Sequence, residues 1–213
     1  MRVLALLFLA ASAARAQAPL PATPVPATGF EEPPRRGTFL ESSLGVFTVF
    51  GGSAAVSNAQ PYLSFAFGRE LGERATIFAS LGIGGASGSC FQVAGDGSCV
   101  GADSFGAVFV EAGGSYGFVP AQRALLSFKL VAGLTDLTPG PTQNGSSVPG
   151  ALLGFHFGGG VALDYDTHLD HFAVGADVLV RYTIASYAPA AGQGSQTLGL
   201  VSLAVMPRIR YVF

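Results

Sequence analysis

Seven of the titratable residues that lie within stretches otherwise alternating between apolar and small side chains stand out: Glu41, Glu111, Lys129, His156, Asp177, Arg181 and Arg208. Both signs of charge are present. The chemistry open to them is mutual neutralisation in a buried network, or passage of a proton or ion along it. Other patterns resemble reactive sites but lack the context those sites need. Gly113-Gly114-Ser115-Tyr116-Gly117 matches G-x-S-x-G, yet a nucleophile elbow requires strand, sharp turn and helix, and this copy falls inside an alternating stretch. Gly82 and Gly84 begin a phosphate-binding loop that no helix follows. Asp166, His168, Asp170 and His171 crowd one short turn without specifying a four-ligand metal arrangement. No catalytic residue, cofactor site or metal site is therefore expected. Cys90 and Cys99 remain, and in an oxidising compartment their spacing favours a disulfide worth roughly 2.5–3 kcal/mol by loop entropy.

The elements that must position these residues are strands. Eight stretches alternate with period two: 38–49, 61–71, 75–85, 104–118, 124–135, 150–165, 171–184 and from about 197 to the end. In each, one face is aliphatic or aromatic and the other carries Gly, Ser, Ala or Thr together with the charges. Leu126, Phe128, Leu130 and Leu134, for example, oppose Ser127, Lys129 and Gly133. The connections run long, short, long, short, long, short, long, as in outer-membrane barrels with short periplasmic turns and longer external loops. Only 11% of residues are charged and 49% are hydrophobic, against about 25% charge in a soluble domain. Thirty glycines argue against long helices. The expected fold is all-β: an eight-stranded antiparallel up-and-down transmembrane barrel spanning 38–213.

Within that barrel Glu111 is expected to pair with Lys129, Arg181 with Asp177 or His156, and Glu41 with Arg208 across the closing seam. Eight strands leave a lumen that side chains fill, so a satisfied polar plug is the principal expectation and a small channel with a charged lumen is the alternative. Aromatics near strand ends, among them Tyr116, Phe118, Tyr165, Phe172, Tyr182 and Tyr211, are expected to form interfacial girdles.

Residues 1–16 read as a signal peptide, with Arg2 as the positive n-region, an apolar 3–13 and the cleavage site Ala14-Arg15-Ala16. Residues 17–37 form a Pro-rich periplasmic tail, with prolines at 19, 21, 24, 26, 33 and 34. A net charge of -2 and the lack of any Lys/Arg cluster give no reason to expect nucleic acid.

The chain ends on Val201, Leu203, Val205, Pro207, Ile209, Tyr211 and Phe213, alternating with Ser202, Ala204, Met206, Arg208 and Arg210. This resembles the closing strand of bacterial outer-membrane β-barrels, which implies an outer-membrane location, lipid around the barrel, and Tyr211 and Phe213 as the signal read by the barrel-assembly machinery. A second resemblance rests on four short motifs. They are Gly37-Thr38-Phe39-Leu40-Glu41, Ser57-Asn58-Ala59-Gln60-Pro61-Tyr62-Leu63, a two-cysteine loop after the third strand, and Arg210-Tyr211-Val212-Phe213. In these the chain is similar to the myxobacterial adventurous gliding motility protein CglE family. That implies a non-enzymatic part in a cell-envelope motility complex, with other envelope proteins as partners.

Overall fold

Period-two alternation with β-branched and aromatic residues on one side suits a pleated strand, and glycine on the other side weakens any competing helix. The computed structural model describes residues 37–51, 55–72, 74–87, 104–120, 123–138, 142–143, 146–147, 152–167, 169, 171–187 and 196–213. The leader, the tail up to residue 36, His168, Asp170 and the Cys90 to Cys99 loop lie outside these residues. Eight long strands follow in order: β1 Thr38–Gly51, β2 Gln60–Glu70, β3 Ala75–Ser87, β4 Ser104–Pro120, β5 Ala124–Thr138, β6 Leu152–Asp166, β7 Phe172–Tyr187 and β8 Gln196–Val212. Each pairs antiparallel with the next, and β8 returns to β1, closing the barrel. The two-residue strand Ala55–Val56 folds back on the end of β1, and Thr142–Gln143 pairs with Ser146–Ser147 in a separate small ladder.

Closure is uneven at the β1–β8 seam. Ladder pairs run from Phe39↔Val212 to Ser43↔Arg208, skip two positions and resume at Val46↔Val205. Pro207, which has no N–H to donate, falls in the gap. Beside it, at the position opposite Met206, Gly45 lets the strands approach so closely that an added Cβ would strike the Val205 carbonyl.

The faces divide as the alternation requires. Phe155 and Val178 are 50% and 40% exposed on the outside, whereas Lys129 and Arg181 are 7% and 1% exposed on the inside. Water on the outer face would reverse that preference, so the belt is built for hydrocarbon. At the long-loop end the sense of the pattern inverts. Phe105, Ala107, Leu137, Leu152, Leu198 and Leu200 turn inward and are buried. Ser104, Gly106, Thr138, Ser186, Thr197 and Gly199 on the same strands face outward and are exposed. There the wall stands in water and needs an apolar core like any soluble barrel. Strand length accounts for this. The 17 residues of β4 and of β8 extend roughly 55 Å, about 40 Å along the axis when tilted, which exceeds an apolar band of about 25 Å.

Substituting arginine into the belt tests what wets it. Leu130→Arg, at a position 57% exposed outside, is expected to cost about 2–4 kcal/mol in a bilayer, and Ser186→Arg beyond the belt less than about 1. Urea midpoints in phospholipid vesicles read the difference, and equal costs would mean that water covers both positions.

Candidate functional site

The inward face of the barrel holds one layered assembly. Nearest the long loops, below the apolar cap, Phe47 stacks on Tyr62 with centroids 5.5 Å apart, and Phe109 meets both rings at 5.7 and 6.1 Å. Glycine makes room for these rings. Phe39 lies opposite Gly68, Tyr62 opposite Gly84 and Phe78 opposite Gly113, and a Cβ on Gly113 would come within 2.6 Å of Phe78 Cζ. The large inward ring covers the cross-strand neighbour that lacks a side chain.

Beneath the rings sits the first ionic cluster. Arg181 donates from Nε to Glu111 Oε2 at 2.9 Å and from Nη2 to Glu111 Oε1 at 2.8 Å, a two-pronged contact of the stronger kind. A further bond runs from Arg181 Nη2 to Tyr62 Oη at 3.0 Å, and the guanidinium lies 4.8 Å from the Phe109 centroid. Glu111 also accepts from Ser80 Oγ at 3.0 Å and lies 3.1 Å from His156 Nε2. His156 is fully buried, and its Nδ1 lies 2.7 Å from Thr135 Oγ1. If the hydroxyl donates to Nδ1, the imidazole Nε2–H donates to Glu111 and every polar atom of the ring is satisfied by one neutral tautomer.

The second cluster lies toward the short turns. Lys129 Nζ donates to Asp177 Oδ2 at 2.6 Å and to Glu41 Oε1 at 3.4 Å. Arg208 bridges Glu41 at 2.9 Å and Asp164 at 2.6 Å, and Arg210 donates twice to Glu41 Oε2. Arg210 also covers the Phe39 ring at 4.4 Å, and Lys129 covers Phe78 at 4.8 Å. Four carboxylates (Glu41, Glu111, Asp164, Asp177) meet four permanent cations (Lys129, Arg181, Arg208, Arg210), so the ionic core is neutral with His156 uncharged. Between the clusters a void of ≈ 10 Å³ is lined by Ser43, Ser64, Ser80, Asp177 and Arg181, about the space one water requires. Both Asp177 and Arg181 have an atom without a hydrogen bond, Arg181 Nη1 and Asp177 Oδ1, the latter lying 3.3 Å from Arg208 Nη1.

All seven titratable residues singled out in the sequence are buried in the lumen. Their partners differ from expectation in two cases. Glu111 binds Arg181 and His156 and not Lys129, because β4 and β5 pair with Glu111 opposite Gly133 and Lys129 opposite Ser115, four residues apart. Arg181 accordingly reaches across the lumen to Glu111, and neither Asp177 nor His156 receives it. The expected contact between Glu41 and Arg208 is present. Asp164, Tyr62 and Thr135 were not singled out. Asp164 was within reach, since Leu163 and Tyr165 face outward and fix its parity. Tyr211 and Phe213 end the closing strand with rings 4.9 Å apart, and Tyr211 also packs on Phe172 at 5.0 Å. With Tyr116, Phe118 and Tyr165 exposed at the short-turn ends of β4 and β6, these form an aromatic girdle at the short-turn end. Tyr182 sits higher, packed on Phe157.

A closed barrel of eight antiparallel strands, with an apolar belt outside and an ionic core inside, defines the class of small bacterial outer-membrane β-barrels. No protein-family model and no curated protein matches the chain. Among solved structures it is similar to Neisserial surface protein A at 10% identity, over 83% of this chain and 97% of that one, with a TM-score of 0.59. It also aligns with Ail, the attachment invasion locus protein of Yersinia pestis, at 13% identity over 82% and 99% of the chains, TM-score 0.48. A third alignment is with the outer membrane protein AlkL, at 13% identity over 91% and 96%, TM-score 0.48. At 10% identity the likeness to Neisserial surface protein A bears on the fold alone.

Proposed function

We propose that the chain is a non-enzymatic structural and interaction component of the bacterial cell envelope, a closed barrel that presents its long loops at the cell surface. The observation that carries this reading is the filled lumen, with apolar cap, aromatic layer and two neutralised ionic clusters in series and a void for about one water between them. An open pore would need a continuous wet path, and the Arg181–Glu111 contact stands across it. In this reading residues 1–16 export the chain, and Tyr211 and Phe213 hand it to the barrel-assembly machinery. A place in a gliding-motility complex is the finer form of the proposal, supported by the four short motifs shared with the CglE family.

Conductance across planar lipid bilayers tests the closed lumen. The purified barrel is expected to insert without producing stable open levels at either polarity. A reproducible unitary conductance that changes on truncating Arg181 would replace this reading with that of a small channel.

A further inference from the structure

The eleven Lys and Arg of the chain are distributed with a bias that the lumen does not explain. Arg2, Arg15, Arg35 and Arg36 precede the barrel, and Lys129, Arg181, Arg208 and Arg210 are the cations of the ionic core. The remaining three, Arg69, Arg74 and Arg123, all lie at the short-turn end, at the end of β2, the start of β3 and the start of β5. The four long connections and the strand ends beside them contain none. All three rim arginines thus fall at the short-turn end, whose turn sequences also carry Glu70, Glu73, Asp166 and Asp170.

Arg69 and Arg74 form a single edge. Arg69 is exposed and projects outward in line with Phe67, with Ile77 of β3 beside it in the ladder and Thr38 of β1 on its other flank. Arg74 is also exposed, and its carbonyl accepts the Gly117 N–H at 2.7 Å, which brings it beside Tyr116, the neighbour of the pair Ala75↔Tyr116. Among the described residues neither guanidinium has an ion-pair partner. Glu70 does not compete on the outer face, since its alternation places it on the lumen side and its Oε2 is buried. Directly along the wall from the two arginines the surface turns apolar, with Phe67, Ile77 and Tyr116 exposed by 58%, 50% and 59%. Two exposed cations with no ion-pair partner among the described residues, above an apolar strip and at the depth where a belt meets its headgroup layer, have the chemistry of an anionic lipid seat.

We infer that the Arg69–Arg74 edge binds the phosphate of an anionic phospholipid, whose acyl chains lie along Phe67, Ile77 and Tyr116, and that this selectivity belongs to one leaflet only. The inference rests on the reading of the chain as a membrane barrel. A soluble phosphate would satisfy the guanidinium groups but leave the apolar strip uncovered. The long-loop rim, with Asp136 as its described strand-end charge and no cation, offers such a headgroup nothing.

Native mass spectrometry of the full-length barrel released from micelles tests it, with phosphatidylglycerol and phosphatidylcholine of equal chain length supplied in equal amounts. The wild-type barrel is expected to retain phosphatidylglycerol about thirtyfold more, in line with a contribution of roughly 1 kcal/mol from each of the two interfacial arginines. Arg69→Gln with Arg74→Gln is expected to bring retention down to the phosphatidylcholine level, while unheated electrophoretic mobility still reports a folded barrel. Glu73→Gln, next to Arg74 in the sequence, is expected to raise it. Equal retention of both lipids by the wild type, unchanged retention in the double variant, or displacement of the lipid by inorganic phosphate would overturn the inference. Any of these in a detergent-dependent folded barrel leaves the membrane reading standing, whereas a wild-type chain that stays folded and dispersed without detergent would sink both.

Discussion

Glu111→Ala is expected to destabilise the barrel by about 3–5 kcal/mol, the range for stripping one partner from a buried ion pair. Arg181 is 1% exposed, and without Glu111 it keeps only the Tyr62 hydroxyl and the faces of Tyr62 and Phe109. His156 loses the acceptor of its Nε2–H at the same time, leaving Thr135 as its sole partner. The penalty is thus that of an uncompensated buried cation plus one unsatisfied donor. Adding Arg181→Met removes the orphan charge, so the double variant is expected to recover most of the loss and sit within about 1–3 kcal/mol of the parent. Because the chain contains no Trp, folding is best followed by electrophoretic mobility without heating, across urea, in vesicles. A cost below about 1 kcal/mol for Glu111→Ala would mean that water already reaches Arg181. That result would count against the closed lumen as well as against the ion pair.

The limits of the sequence become clear at these same residues. Which face of each strand is inside was legible, because hydrocarbon on one side and packed small residues on the other leave a period-two trace that does not depend on long-range contacts. Closure was legible from the alternation of connection lengths. Of the pairings inside the lumen, the one between neighbouring strands, Glu41 with Arg208 across the seam, was legible; the others were not. Glu111 on β4 meets Arg181 on β7, Lys129 on β5 meets Asp177 on β7 and Glu41 on β1, and Arg208 on β8 meets Asp164 on β6. These contacts cross the interior between strands that are not neighbours, so ladder register says nothing about them; they depend on tilt and on how far each side chain leans along the axis. The reversal of polarity at the long-loop end was visible in Phe105, Leu137, Leu198 and Leu200. It reads as an interruption of the pattern until the strands are seen to outrun the membrane.

One rule relating sequence to site emerges only from the register, and it carries the other large effect. Four of the six long charged side chains of the lumen have a glycine directly across the ladder: Arg181 faces Gly158, Lys129 faces Gly160, Glu111 faces Gly133 and Arg208 faces Gly175, while Glu41 and Arg210 face each other and, on their other sides, Ala66 and Ala173. The glycine lets the charged chain lie against the wall and lets the two backbones approach. The run Gly158-Gly159-Gly160 shows the consequence within three residues. A Cβ on Gly160 would strike the Val178 carbonyl oxygen and lie 2.9 Å from Leu179 Cα. Both are backbone atoms of β7, which move only if the ladder moves. On Gly159, one residue away and on the other face, the nearest atom would be Leu130 Cδ2 at 3.4 Å, an ordinary contact with a flexible side chain. Gly160→Val is therefore expected to cost about 3 kcal/mol or more, as overpacking against an immobile wall does, and to leave most of the protein unfolded in unheated electrophoresis. Gly159→Ala is expected to be neutral or to stabilise by about 0.4–1 kcal/mol, since it restricts the unfolded chain at no steric cost. If the two variants behaved alike, the close approach of β6 to β7 beside Lys129 would be wrong. The seat of the Lys129–Asp177 contact would then have to be placed elsewhere in the lumen.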